Sequence, residues 1–209
     1  DNPLQLFDRP ALGSSLPKSL SEKELMQLIH CAEQDNSIRG VMSLAIIEIL
    51  YATGCRVSEL CQLEASPFRH RRQTIIITGK GKKERMVALT ESALQASEAW
   101  LAMRDQVPAY IALPWLFPSG RQDKPISRQY IYTLLRDLAI KAGINPEKMS
   151  PHVLRHSFAT HMLNRGADLR SLQLLLGHAD ISTTEIYTKT RDDRLMGLVK
   201  DTHPLADES

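Results

Sequence analysis

Residues Thr74-Ile75-Ile76-Ile77-Thr78-Gly79-Lys80-Gly81-Lys82-Lys83-Glu84-Arg85-Met86-Val87-Ala88-Leu89 (TIIITGKGKKERMVAL) form the one clear β signal in the chain. Thr74–Thr78 is β-branched at every position, which suits a pleated, half-buried surface. Gly79-Lys80-Gly81-Lys82 is a glycine-punctuated turn, and Glu84–Leu89 alternates and returns as the partner strand. The sequence on either side reads as helix or loop. The expected fold is therefore mostly α with a small antiparallel β-sheet, an α+β domain.

Upstream, residues 1–20 hold Pro3, Pro10, Gly13 and Pro17 without sustained periodicity and read as a linker or extended arm. Ser21-Glu22-Lys23-Glu24 is a capping box that opens a helix through Leu25, Leu28, Ile29 and Ala32. Ile38–Thr53 is apolar on nearly all faces, a buried helix ended by Gly54, and a short helix follows from Val57 to Leu63. Downstream, Thr90 caps a helix to about Arg104, 107–125 is Pro-rich and irregular, and Ser127 opens a helix to about Ala142. Ser150-Pro151 is an N-cap followed by proline at the first helical position, starting a helix to about Arg165. Asp168 caps a leucine-rich helix that Gly177 stops. Ser182-Thr183-Thr184-Glu185 is a second capping box with Tyr187 beyond it, and Leu195, Leu198 and Val199 lie on a final short amphipathic segment.

A length of 209 residues is enough for one domain with a substantial core. The longest apolar-rich run, Val41–Leu50, is too short to span a membrane. Asp1-Asn2-Pro3 and the polar residues after it do not read as a signal peptide. Cys31, Cys55 and Cys61 form no C-x-x-C pair and are expected to be reduced thiols in a cytoplasmic protein. Net charge is only +2, but between Arg69 and Arg85 the single acid Glu84 faces Arg69, Arg71, Arg72, Lys80, Lys82, Lys83 and Arg85. Such a patch fits a polyanion partner and fits a solvated loop equally well.

Chemistry concentrates in His152–His161 (HVLRHSFATH), for which three readings compete. His152 and His156 have the i, i+4 spacing of two metal ligands. The zincin pattern, however, wants Glu where Val153 stands, and Arg155 shares the face of His152. A guanidinium beside a divalent cation is repulsive. Packing or hydrogen bonding of the histidines is the second reading. In the third, His152 and Arg155 clamp an anion at the helix N-terminus, where the guanidinium fork matches phosphate oxygens. Candidates of matching type lie elsewhere. Arg56 follows the Gly54 break, with a salt bridge to Glu59 as its plain alternative. Lys80 sits at the hairpin tip, His178 lies just past a helix end, and Tyr187 lies on a capped helix.

In order, ATGCRVSEL, GKGKKERMV, HVLRHSFATHML and LLGHADISTTEIYT closely resemble the catalytic domain of the tyrosine recombinases, a phage-integrase-like family, and specifically its bacterial Xer site-specific recombinases. The resemblance runs from about Leu20 to His203-Pro204, and PHVLRHSFATH, NRGADLR and LPKSLSE favour the XerD type over the XerC type. It implies the tyrosine recombinase catalytic-domain fold, with residues 1–19 as an interdomain linker, 20–209 as the C-terminal catalytic domain, and the family's N-terminal core-binding domain absent. It also implies a catalytic set: Tyr187 as nucleophile forming a 3′-phosphotyrosyl bond, Arg56 and Arg155 on the non-bridging oxygens, Lys80 as the acid for the 5′ oxygen, His152 assisting at the tyrosine, and His178 on the phosphate. Lys82, Lys83 and Arg85 are expected to bind DNA, and Leu195, Leu198 and Val199 to contact a neighbouring protomer. The segment Glu64–Gln73 (EASPFRHRRQ) departs from the family pattern, which leaves an altered local turn or added phosphate contacts as expectations.

The function so implied is site-specific DNA recombination in chromosome dimer resolution, without cofactor or metal. Its partners would be double-stranded DNA, recombinase subunits in a tetramer, and a septal DNA translocase, with no membrane. A phage or integron-type integrase, or a topoisomerase IB-like enzyme, would share the chemistry. A non-catalytic DNA-binding module is the alternative of another class.

Overall fold

Helix α1 (Glu22–Glu33) begins where the sequence predicts: the Ser21 hydroxyl accepts from Glu24 N at 3.2 Å, and Ser21 N donates to the Glu24 carboxylate at 2.8 Å. Reciprocal bonds of this kind satisfy two donors that a helix start leaves open. Its Leu25, Leu28, Ile29 and Ala32 are buried. They face α2 (Ile38–Thr53), whose residues from Ala45 to Thr53 are all buried. A helix apolar on every side needs neighbours on every side, and α2 has them in α1, α5, α7 and α8. The structure, a computed structural model, describes residues 19–120, 123–177 and 189–206, the side chains of residue 80 and residues 189–193 excepted.

The remaining elements surround this axis. They are α3 (Val57–Cys61), α4 (Ser66–Arg69), β1 (Thr74–Thr78), β2 (Glu84–Ala88), α5 (Glu91–Arg104), α6 (Pro108–Ile111), α7 (Arg128–Lys141), α8 (Pro151–Asn164), α9 (Leu169–Leu176) and α10 (Lys189–Thr202). Strands β1 and β2 form a two-stranded antiparallel sheet in which Ile75 faces Val87 and Ile77 faces Arg85. Ile75, Ile77 and Val87 are buried, whereas Ile76 on the other face is 49% exposed. Buried apolar side chains from Leu20 to Leu205 form one contiguous cluster, with Leu195 and Leu198 half-buried against it. Among the described residues no helix is long and apolar enough to cross a membrane.

Two segments differ from expectation. The Pro-rich 107–125 stretch contains α6 and isolated bridges Glu64–Trp115 and Pro118–Pro125. It is tied down by the fully buried Arg104, which donates to the carbonyls of Leu113 at 2.6 Å and Trp115 at 2.9 Å. Trp100 adds a bond from its indole nitrogen to the Leu116 carbonyl at 2.8 Å. The Glu64–Gln73 segment forms α4 and a turn with Arg71 in the left-handed region at φ 48°. Arg69 makes a fork to Asp105 at 2.5 and 2.8 Å, and Arg71 pairs with Glu91 and Glu98. Arg69 and Arg71 thus pair with carboxylates, while Arg72 in the same turn is exposed.

Candidate functional site

Ser150 and Pro151 start α8 as read from the sequence, with the Ser150 hydroxyl accepting from Val153 N at 3.1 Å. Two residues further on, Arg155 points into the protein and is 6% exposed. Its Nη1 donates to the Gly54 carbonyl at 2.5 Å and its Nη2 to the Leu176 carbonyl at 2.7 Å. These carbonyls terminate α2 and α9. Helix C-termini leave carbonyls without helical partners and gather partial negative charge there. One guanidinium therefore clamps two helix ends and is itself oriented by them. Burial, reinforced by the charges of Arg56 and Arg85, pulls the Arg155 guanidinium down to about 10, which still leaves it cationic at neutral pH.

Gly54 makes this corner possible. It has φ 57°, in the left-handed region, and a Cβ there would lie 2.5 Å from a ring carbon of Phe158 and 2.9 Å from Leu176. A side chain is excluded both by strain and by space. The chain leaves the corner through Cys55, which is fully buried; burial pushes its thiol up to about 11, too high for a thiolate nucleophile.

Arg56 follows as the N-cap of α3. Its backbone N donates to Glu59 Oε2 at 2.7 Å, and its Nη1 lies 3.4 Å from Glu59 Oε1. The Arg56 side chain remains 40% exposed, while Glu59 is 3% exposed. The salt bridge weighed from sequence thus exists, and it coexists with an open guanidinium. Glu59 also receives a two-pronged fork from Arg85, Nη1 to Oε1 at 2.8 Å and Nη2 to Oε2 at 2.7 Å. Burial alone would raise the Glu59 carboxyl; the bonds and charge of Arg85, with help from Arg56, hold it below the usual range instead. Two guanidiniums thus reach one carboxylate, and the Arg155 charge lies close enough to act on both, so among the described residues positive charge gathers here, as suits an anion.

Arg85 departs from its expected role in DNA binding. Its side chain is 10% exposed, and its Nε donates to the Leu175 carbonyl at 2.8 Å, so every nitrogen of the guanidinium is bonded inside the protein. The cause is register: Ile77 lies opposite Arg85, on the sheet face that buries Ile75 and Val87. Sequence reading also missed the part of Glu59, which it weighed only as an alternative partner for Arg56. The alternation Arg85-Met86-Val87, set against Ile75 and Ile77, was the available signal for both.

Other expected positions fall as follows. Lys80, Gly81 and Lys82 form a single tight turn at the hairpin tip, closed by a bond from Gly79 N to Lys83 O at 2.7 Å. Lys82 and Lys83 are exposed there. His152 is exposed at the second position of α8, one turn before Arg155. His161, on the same helix, is a core residue bonded to the Tyr51 hydroxyl at 2.7 Å and the Leu20 carbonyl at 2.9 Å. Val199 is buried and Leu195 and Leu198 pack on the protein's own core, so α10 is seated on its own chain. His178, Tyr187 and the Ser182–Glu185 capping box lie outside the described residues, as do residues 1–18 of the expected linker.

Against known proteins, residues 18–194 match the model described as the Phage integrase family. Tyrosine recombinase XerD of Brucella suis biovar 1 (strain 1330) is 42% identical over 215 residues, covering 99% of this chain and 70% of that protein. The crystal structure of XerA recombinase is similar at a TM-score of 0.68 and 37% identity, covering 90% of this chain and 66% of the XerA chain. A XerH site-specific recombinase bound to its difH substrate in a pre-cleavage complex is similar at a TM-score of 0.67 and 28% identity, covering 87% of this chain and 53% of the XerH chain.

Proposed function

Since the chain belongs to the phage integrase family of tyrosine recombinases, enzymes that transfer DNA strands, we propose that it cuts and rejoins DNA at defined sites with Tyr187 as nucleophile. The observation that carries this reading is the approach of Arg56 and Arg155 at the Gly54 corner, close enough for each charge to act on the other.

A phosphodiester under attack concentrates negative charge on its non-bridging oxygens, and fixed cations that need no reorganisation stabilise that charge. Arg155 meets the requirement because two carbonyls hold its plane in place. Arg56 supplies the second guanidinium from the start of α3. The Tyr187 oxygen attacks phosphorus, its proton passing to His152, and a tyrosine with an ordinary pKa of about 10 needs such help at neutral pH. The bond from phosphorus to the 5′ oxygen breaks, and Lys80 protonates that oxygen while His178 bonds the phosphate. One phosphoester replaces another, so the bond energy is retained for attack by a second strand's 5′ hydroxyl, and no ATP is required.

Double-stranded DNA is the substrate in this reading, Lys82 and Lys83 contact its backbone, and the working unit is a set of recombinase subunits on the DNA. Chromosome dimer resolution, with a septal DNA translocase as partner, is the setting we assign. Leu195, Leu198 and Val199 become the protomer contact only if α10 leaves its seat on its own chain.

A nicked suicide duplex, carrying a site selected by the intact protein from a random-sequence pool, tests the proposal. The expected outcome is a covalent protein–DNA adduct that withstands denaturant and is lost in Tyr187→Phe. Arg56→Ala and Arg155→Ala should each slow its formation by about 10²–10³-fold, the usual loss for one oxyanion donor. No adduct from the wild type, or an undiminished one from Tyr187→Phe, would sink the assignment.

A further inference from the structure

Arg85 is occupied on all sides by the protein's own acceptors, yet it stands beside both phosphate-clamp candidates. Its two amino groups fork onto Glu59, its Nε reaches the Leu175 carbonyl, and its charge is felt at Arg155. The space around this ion pair is shaped for it. A Cβ on Gly79 would lie 3.1 Å from Glu59 Oε1, and one on Gly177 would lie 3.1 Å from Arg85 Cδ. The hairpin turn and the end of α9 therefore both pack closely against the pair.

We propose that Arg85 is a positioning residue for catalysis: by holding the buried Glu59 carboxylate in a fork, it keeps Arg56 available to the scissile phosphate. The inference rests on Arg56 and Arg155 being the phosphate clamp. Glu59 is 3% exposed and accepts from both arginines. Its contact with the Arg56 guanidinium is the long one, 3.4 Å, against 2.7 and 2.8 Å to Arg85. A buried carboxylate stripped of its main partner takes the next cation within reach, and among the described side chains that cation is Arg56. Charge follows the same logic. With Arg85 neutralising Glu59, the charge of Arg56 remains for a phosphate; without Arg85, Glu59 cancels it. Through Leu175 the same guanidinium also fixes the end of α9, whose next carbonyl, that of Leu176, orients Arg155.

Single-turnover adduct formation on the nicked duplex described above, at saturating DNA, is the test. Arg85→Ala should lower the rate roughly 10- to 100-fold, less than loss of a direct donor. Its DNA affinity and the salt dependence of that affinity should stay as in the wild type, because Arg85 faces no phosphate. Adding Glu59→Gln to Arg85→Ala removes the carboxylate that captures Arg56 and should recover at least about fivefold of the lost rate. A residue that only supported the fold would give an additive loss instead. Arg85→Lys keeps the charge without the fork and should fall between wild type and Arg85→Ala; it serves if the alanine variant folds poorly. A wild-type rate in Arg85→Ala, a double variant no faster than the single one, or a salt slope reduced by about one overturns the proposal. Arg56→Ala and Tyr187→Phe run alongside. If either forms adduct at the wild-type rate, the recombinase reading itself fails, whereas two inactive controls beside an active Arg85→Ala remove only the present inference.

Discussion

His203 is held as a neutral imidazole. Its Nδ1 accepts from Leu205 N at 3.1 Å, so the proton sits on Nε2, which donates to the Tyr51 carbonyl at 3.1 Å. A second proton would point at an N–H. Burial accordingly pulls the group down to about 4 from its ordinary 6.5. The unfolded chain takes up that proton as pH falls through about 6.5, while the folded chain resists until about 4. Between those values the unfolded state binds more protons, so stability falls with falling pH there and gains nothing further above about 6.5. His161, also lowered by burial, acts in the same direction. Urea unfolding at pH 7 and pH 4.5 should show a loss on the order of 2–3 kcal/mol from His203, and a His203→Gln variant should show a visibly smaller loss. Equal losses in both proteins would contradict this account. At this scale the sequence was informative about residue type and less so about direction. His161 falls under the packing or hydrogen-bonding reading of its stretch, but nothing local says that Arg85 turns inward, because strand register is a pairing between Ile77 and Arg85 rather than a property of either residue.

Helix ends were the most legible elements, since capping is written in a few adjacent residues. Ser21, Thr90, Ser127, Ser150 and Asp168 each accept from a backbone N–H at the predicted start. Helix α4 escaped notice because four residues hold too little periodicity to read, and it is seated by the burial of Phe68, with Arg69 and Arg71 reaching acids near α5. Helix α10 is longer than the short segment expected, running Lys189–Thr202. Its seat has consequences. Val199 is 4% exposed, and the Thr202 hydroxyl contacts Met162 Sδ at 3.4 Å. Val199→Asp would bury an unpaired carboxylate and should destabilise the domain by about 3 kcal/mol or more. The shift in urea midpoint should be the same at low and high protein concentration. A concentration-dependent shift would instead mean that α10 docks on a second copy in solution.

For the whole molecule, the apolar cluster from Leu20 to Leu205 leaves no internal boundary among the described residues. Unfolding should therefore be one cooperative transition. Fluorescence of Trp100, buried beside Phe117, and far-UV circular dichroism, which reports all the helices, should give superimposable urea curves. Separate midpoints would divide the domain. The sequence predicted the α+β fold well, because its core follows from the periodicity of long helices. The site was harder to read: Arg56, Glu59, Arg85 and Arg155 lie on three separate stretches, and only folding shows that Arg56 and Arg85 share the Glu59 carboxylate beside the corner that Arg155 clamps. One further consequence follows from Tyr51. Its hydroxyl meets His161, which holds the Leu20 carbonyl, and its own carbonyl holds His203. The beginning and the end of the fold are thus buttoned to a single side of α2. A short polar bridge between them would cost little closure entropy, so the domain is a natural ring. Circular permutation, with new ends opened at the Lys80–Lys82 turn, should preserve its core.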